Sequence, residues 1–276
     1  MPNFSDIPTP WYLRAAIWIA RQLRKSRATR KIVRSIKGRL TLGPMTKVHL
    51  AAIHAIRRIS VNQDSLPDSS LTYEALQSVA DGCRDAIAEI LEVWNEHIHC
   101  TLKLCGGDKA DKRNWKVYTV ARSDPCNRPA EFGRGNYHLV GDNSSFAPLA
   151  GCNDRKNVWE PNVFSCFSCG NLRKYTRYDS SGKNWESYYN STIVFPLRYR
   201  KSDAAEFSVI GFLTFDSQLD DAFGDIPCIF ECQNNPAEYQ EKLSYMSLFH
   251  VGGILADVLA MTFHPLVDPC KEVKSL

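Results

Sequence analysis

Long apolar runs are missing from this 276-residue sequence. The longest near the start, Ala15 to Ala20, is bracketed by Arg14 and Arg21 and falls well short of the roughly 18–20 residues that cross a bilayer. No spanning helix is expected. The N-terminus also lacks the succession of charged region, apolar region and small-residue cleavage site of a secretory signal. The expected location is therefore the cytoplasm, with peripheral attachment to a membrane as the alternative. No internal repeat is visible, and H-E-x-x-H, the G-x-S-x-G elbow and a Walker-type phosphate loop are absent. Gly133-Arg134-Gly135 opens a Gly-rich pattern, but no strand precedes it and His138 holds the sixth position. Acids are scarce at one end: residues 1–60 carry Asp6 alone against 13 Lys and Arg, a net +12, while the remainder holds 21 basic against 29 acidic residues, a net −8. The chain is electrically two-part.

What is present is ordinary for a globular protein, 44% hydrophobic and 23% charged residues. Residues 1–60 read as a basic helical arm. Tyr12, Ala16, Ile19 and Leu23, then Ile32, Val33, Ile36 and Leu40, form an apolar stripe at helical spacing. Arg14, Arg21, Arg24, Lys25, Arg27, Arg30, Lys31 and Arg34 occupy the other faces. Three partners suit such an arm: another protein surface, an anionic membrane met by Trp11, Tyr12 and Trp18 beside the cations, or nucleic acid. Residues 61–70 are polar and turn-rich and read as a linker, 71–267 as the folded domain, and 268–276 as a tail.

Within the domain, Tyr73 to Trp94 keeps a helical apolar face, after which the period changes to alternation. Ile98, Cys100, Leu102 and Leu104 point one way in a strand, and Trp115 to Ala121 makes a second. Residues 122–190 are irregular, with a short helix at Ser144–Cys152 capped by Asn143 and a short strand at Val163–Cys169. Thr192–Tyr199 and Phe207–Phe215 are two buried strands joined by the turn Arg200–Asp203, and one helix from Ala237 to Phe263, entered at Pro236, closes the domain. Helix, hairpin, irregular region, hairpin and helix in that order make an α+β fold. Ten cysteines are dispersed, mostly in apolar surroundings, and most are expected reduced and buried. Cys152, Cys166 and Cys169 form the best cluster, yet no second pair or nearby histidine completes a zinc site. His97 and His99 share a strand face, where solvent exposure and metal binding are both open readings. No metal or cofactor is expected. Trp159, Phe164, Tyr175, Tyr178, Trp185, Tyr188, Tyr189 and Arg198 supply the aromatic and cationic groups from which a small-molecule pocket could be walled.

Two stretches carry a family resemblance. Tyr188-Tyr189-Asn190-Ser191-Thr192-Ile193-Val194-Phe195-Pro196-Leu197 resembles the Ser, apolar strand, Pro pattern of GAF domains, and Val209-Ile210-Gly211-Phe212-Leu213-Thr214-Phe215-Asp216-Ser217 is similar to their following strand. Phe223 before the closing helix is a further match, and the resemblance covers about Leu71 to Phe263. It implies a central antiparallel sheet flanked by long N- and C-terminal helices. It also implies a non-enzymatic sensory module that binds a small molecule, dimerises through its helices and acts on a separate output protein. Some GAF proteins resemble free methionine sulfoxide reductases, which makes Cys152, Cys166 and Cys169 redox candidates, although the sequence around Cys166 and Cys169 departs from that pattern. Cyclic-nucleotide and bilin-attachment motifs are not matched. Pro196 should occupy an edge or bulge, Gly211 should admit a neighbouring side chain, and Asp216 and Ser217 should bond the turn that follows them.

Overall fold

The computed structural model describes residues 69–91, 97–107, 111–124, 137–152, 164–175, 178–179, 185–199, 207–232 and 235–264. The basic arm with its eight cations from Arg14 to Arg34, most of the linker, the Gly133–Gly135 pattern, Trp159, the Arg200–Asp203 turn and the tail lie outside the described residues.

Helix α1 (Ser69–Leu91) is followed by strands β1 (His99–Gly106), β2 (Lys116–Arg122) and β3 (Tyr137–Leu139). Helix α2 (Phe146–Ala150), strand β4 (Phe167–Cys169), strands β5 (Ser191–Tyr199) and β6 (Ser208–Ser217), and helices α3 (Pro236–Ser244) and α4 (Ser247–Phe263) complete the order. The six strands form one antiparallel sheet in the order β3-β2-β1-β6-β5-β4. The fold is thus α+β, as the element pattern predicts, with β3 as an addition that three residues are too few to announce by period.

Pairing explains which residues share a face. Phe195 and Ile193 of β5 pair with Leu213 and Phe215 of β6, which pair with Leu102 and Cys100 of β1. Directly paired residues project to the same side, and this side meets α1 and α4. The main core lies here: Val79, Cys83 and Ile87 of α1 and Leu255 and Leu259 of α4, spaced four or eight apart, are all buried. Arg84 ties α1 to the end of β2, bonding the Asp124 carbonyl and the carboxylates of Asp81 (3.3 Å) and Asp85 (2.8 Å).

Strand β1 is buried on both faces. Thr101, Lys103 and Cys105, on the side away from α1 and α4, are as enclosed as Cys100, Leu102 and Leu104. Phe146 of α2 stacks on Phe212 at 4.4 Å, so α2 and the irregular segments cover this second face.

The closing helix differs from expectation. It is two helices bent by 97°, not one from Ala237 to Phe263. The reason lies in the phase of the apolar residues. Tyr239 and Leu243 of α3 are fully buried, and a straight helix would turn His250 and Asp257, seven and fourteen residues beyond Leu243, toward the core. The bend instead lets Leu248, Val251, Leu255 and Leu259 face inward and leaves Ile254 46% exposed. Among the described residues no single helix is long and apolar enough to cross a membrane.

Pro196 behaves as expected. Pairing with β4 ends at Phe167↔Val194, two residues before it, and the register shifts just after it between Leu197 and Arg198. Its missing N–H therefore interrupts no ladder. Gly211 admits backbone rather than a side chain, since a Cβ there would stand 2.1 Å from the Lys103 carbonyl oxygen. Ser217 Oγ accepts from the Leu219 amide as expected (3.1 Å). Asp216 turns across the sheet instead and accepts the Thr192 hydroxyl at 2.6 Å.

Candidate functional site

The second face of the sheet is built from alternate residues of three strands. Thr101 and Lys103 of β1, Thr214 and Asp216 of β6 and Thr192 of β5 all project to it, and each is buried. Lys103 is 6% exposed and Asp216 7%. The register sets them four positions apart along β6, about 13 Å at strand rise. Lys103 Nζ donates to Thr119 Oγ1 at 3.0 Å and lies 5.8 Å from the centre of the Phe146 ring.

Residues before β5 roof this face. Asn143 Oδ1 accepts the amides of Ser145 (2.8 Å) and Phe146 (3.1 Å), which caps α2 as the sequence predicts and fixes Phe146 over the sheet. Ser145 Oγ donates to Tyr178 Oη at 3.4 Å, and Tyr178 Oη is 3.0 Å from Tyr189 Oη. Trp185 packs edge-on against Tyr178 (4.7 Å between centroids) and tilted against Tyr189 (5.5 Å). Burial, reinforced by Tyr189, pushes the Tyr178 phenol far above its ordinary value and keeps it neutral.

The sequence-derived pocket residues fall in two places. Tyr178, Trp185 and Tyr189 come together over the polar face, and Tyr175 joins them through Phe230, whose ring lies 5.1 Å from Tyr175 and 6.5 Å from Tyr178. Tyr188 is partly buried beside them. Phe164 and Arg198 form a separate pair: Arg198 Nη2 donates to the Phe164 carbonyl, and the Phe164 ring meets Tyr239 edge-on at 5.7 Å.

The three redox candidates are also separated. Cys166 and Cys169 are three positions apart on an extended chain, and the two-residue strand period sends them to opposite sides. Cys166 lies 3.9 Å from Tyr239 Oη, and burial raises its thiol to about 12. Cys152 is buried near Cys105, and burial raises it to about 11. Cys169 Sγ instead stands 2.8 Å from Cys228 Sγ, a residue that sequence reading did not single out. Fifty-nine positions separate the two, so no local spacing could announce them. Lys103 was equally unannounced, because a lysine in an alternating strand reads as its solvent side. Among the described residues no group of three or more His, Cys, Asp or Glu is placed to hold a metal ion.

No protein-family model matches the chain. No curated protein matches it either. Among solved structures it is similar to fRMsr of Staphylococcus aureus in complex with its substrate, with 11% identity over 77% of this chain and 94% of that chain and a TM-score of 0.33. At that score the likeness is distant.

Proposed function

We propose that the chain is a non-enzymatic GAF-like sensory module. It takes a small molecule against the polar face of its sheet and passes its state, through helical contacts between two copies, to a separate output protein. One observation carries this reading. A lysine and a carboxylic acid residue, Lys103 and Asp216, are buried on the sheet face that Phe146 covers, and the covering segments carry the linked hydroxyls of Ser145, Tyr178 and Tyr189. Burying polar groups carries a desolvation cost that apolar residues in the same places would not. A face that keeps such groups is suited to recognising a polar ligand, with aromatic rings as its walls. Both GAF-like motifs fall on β5 and β6, which form the floor of this face.

Native mass spectrometry of freshly purified full-length protein tests the reading. The expected result is a co-purifying small molecule, or one from a metabolite panel that raises the melting temperature. Lys103→Met should remove that shift. If no compound is retained or stabilises the protein, the polar face is only a satisfied core and the reading fails.

The alternative is a reductase acting through Cys152, Cys166 or Cys169; those thiols lie in three separate environments, so each would act without the other two. An adaptor role for the basic arm remains a distinct proposal, carried by the +12 charge of residues 1–60. It places the protein in the cytoplasm at an anionic membrane surface or nucleic acid.

A further inference from the structure

The pairing of Cys169 with Cys228 goes beyond these three readings, since Cys169 is among the reductase candidates but Cys228 is not. Cys169 ends edge strand β4, and Cys228 lies in the segment between β6 and α3. That segment is docked on the edge by backbone bonds: the Asp221 amide donates to the Gly170 carbonyl (2.8 Å) and the Ile229 amide to the Ser168 carbonyl (3.0 Å). Ser168 Oγ donates in turn to the Pro227 carbonyl at 2.6 Å. Both neighbours of Cys228 are thus held by Ser168, the residue before Cys169. The two sulfurs, 2.8 Å apart, are consequently held within an ångström of bonding distance, about 2.05 Å.

We propose that Cys169 and Cys228 are a redox-active dithiol that a small hydroperoxide closes to a disulfide.

The two thiols have unequal roles. Cys228 shares its hydrogen bond with Cys169 and is also bonded by the Phe230 amide and the Tyr175 hydroxyl; these contacts outweigh burial and hold its thiol below the ordinary value. Cys169 is pushed up by the same bond and by burial, and keeps its proton. Cys228 is 5% exposed and Cys169 fully buried, so Cys228 meets the oxidant. Its thiolate attacks the terminal peroxide oxygen, the O–O bond breaks, and the departing hydroxide, or alkoxide from an organic hydroperoxide, takes a proton from solvent to become water or an alcohol. The resulting sulfenic acid is attacked by Cys169 sulfur, the S–O bond breaks, and hydroxide leaves with the Cys169 proton as a water. Two electrons pass from the sulfur pair to the peroxide. A small dithiol reopens the bond by exchange and is itself oxidised. Tyr175 has one phenolic proton and two acceptors, Cys228 and Glu231, so loss of the Cys228 thiolate leaves Glu231 as its partner.

The test uses reduced full-length protein treated with hydrogen peroxide, alkylated and digested. The expected outcome is a mass loss of two hydrogens, one linked peptide pair containing Cys169 and Cys228, and reversal by dithiothreitol. In Cys169→Ala the sulfenic acid should persist on Cys228 and be trapped by dimedone. The wild-type peptide map decides the matter even where that variant fails to fold. A Cys228–Cys232 link, a dimedone adduct on another cysteine, or unchanged thiols after peroxide would each overturn the proposal.

Discussion

Gly211 shows how tightly one residue can set strand spacing. With the Lys103 carbonyl oxygen 2.1 Å and the Leu104 Cα 3.2 Å from where a Cβ would stand, Gly211→Ala must push β6 from β1 at the centre of the sheet. A loss of about 1–3 kcal/mol is expected from overpacking, measurable by urea denaturation. The cysteines separate by environment at the same scale. Cys152 and Cys166, raised to about 11 and about 12 by burial, should resist iodoacetamide in the folded protein at pH 8 and react only on unfolding. Cys228 should behave in the opposite way. Its folded-state value lies below the unfolded one, so its thiolate stabilises the fold above the ordinary thiol range. That contribution is lost as pH falls through the lowered value. Peroxide closure should accordingly persist at pH values below the ordinary thiol value and fade only further down, which a pH series of alkylation-quenched samples would reveal. Burial of the eight cysteines among the described residues was legible in the sequence from their apolar settings. Their partners were not, because a thiol's reactivity depends on atoms brought from distant segments.

Among the elements, strands β1, β2, β5 and β6 agree with the sequence periods to within a residue or two, since each has at least seven residues over which alternation can be read. The break between α3 and α4 was hidden because apolar residues near Tyr245 and Met246 allow more than one stripe to be drawn. Tyr239 is the anchor of the shorter helix. Its hydroxyl lies 2.7 Å from Ser168 Oγ and donates to the Cys166 carbonyl at 3.2 Å, joining α3 to β4. Tyr239→Phe should lower stability by about 0.5–1.5 kcal/mol, read as a shift in denaturation midpoint with unchanged slope. A drop of several kcal/mol would mean that α3 holds the sheet edge more globally than these two bonds imply.

For the molecule as a whole, the proposed dimer predicts that light scattering of the full chain gives twice the 31.2 kDa monomer mass. A monomer at every concentration tested would remove helical dimer contacts from the account. Removing residues 1–60, and with them a net +12, should abolish salt-sensitive binding to anionic vesicles or oligonucleotides. Binding that survives the deletion would refute a role for the arm. By itself the sequence determined the α+β class, the central strands with their Pro196 and Gly211, the cap at Asn143 and the division of charge, because period, turn chemistry and charge are local properties. Tertiary structure alone decided that Lys103 is enclosed, that the closing helix bends, and that Cys169 meets Cys228 rather than Cys166. Each of these depends on what covers a residue from across the fold, and that is set by strand order and packing between segments far apart in the chain.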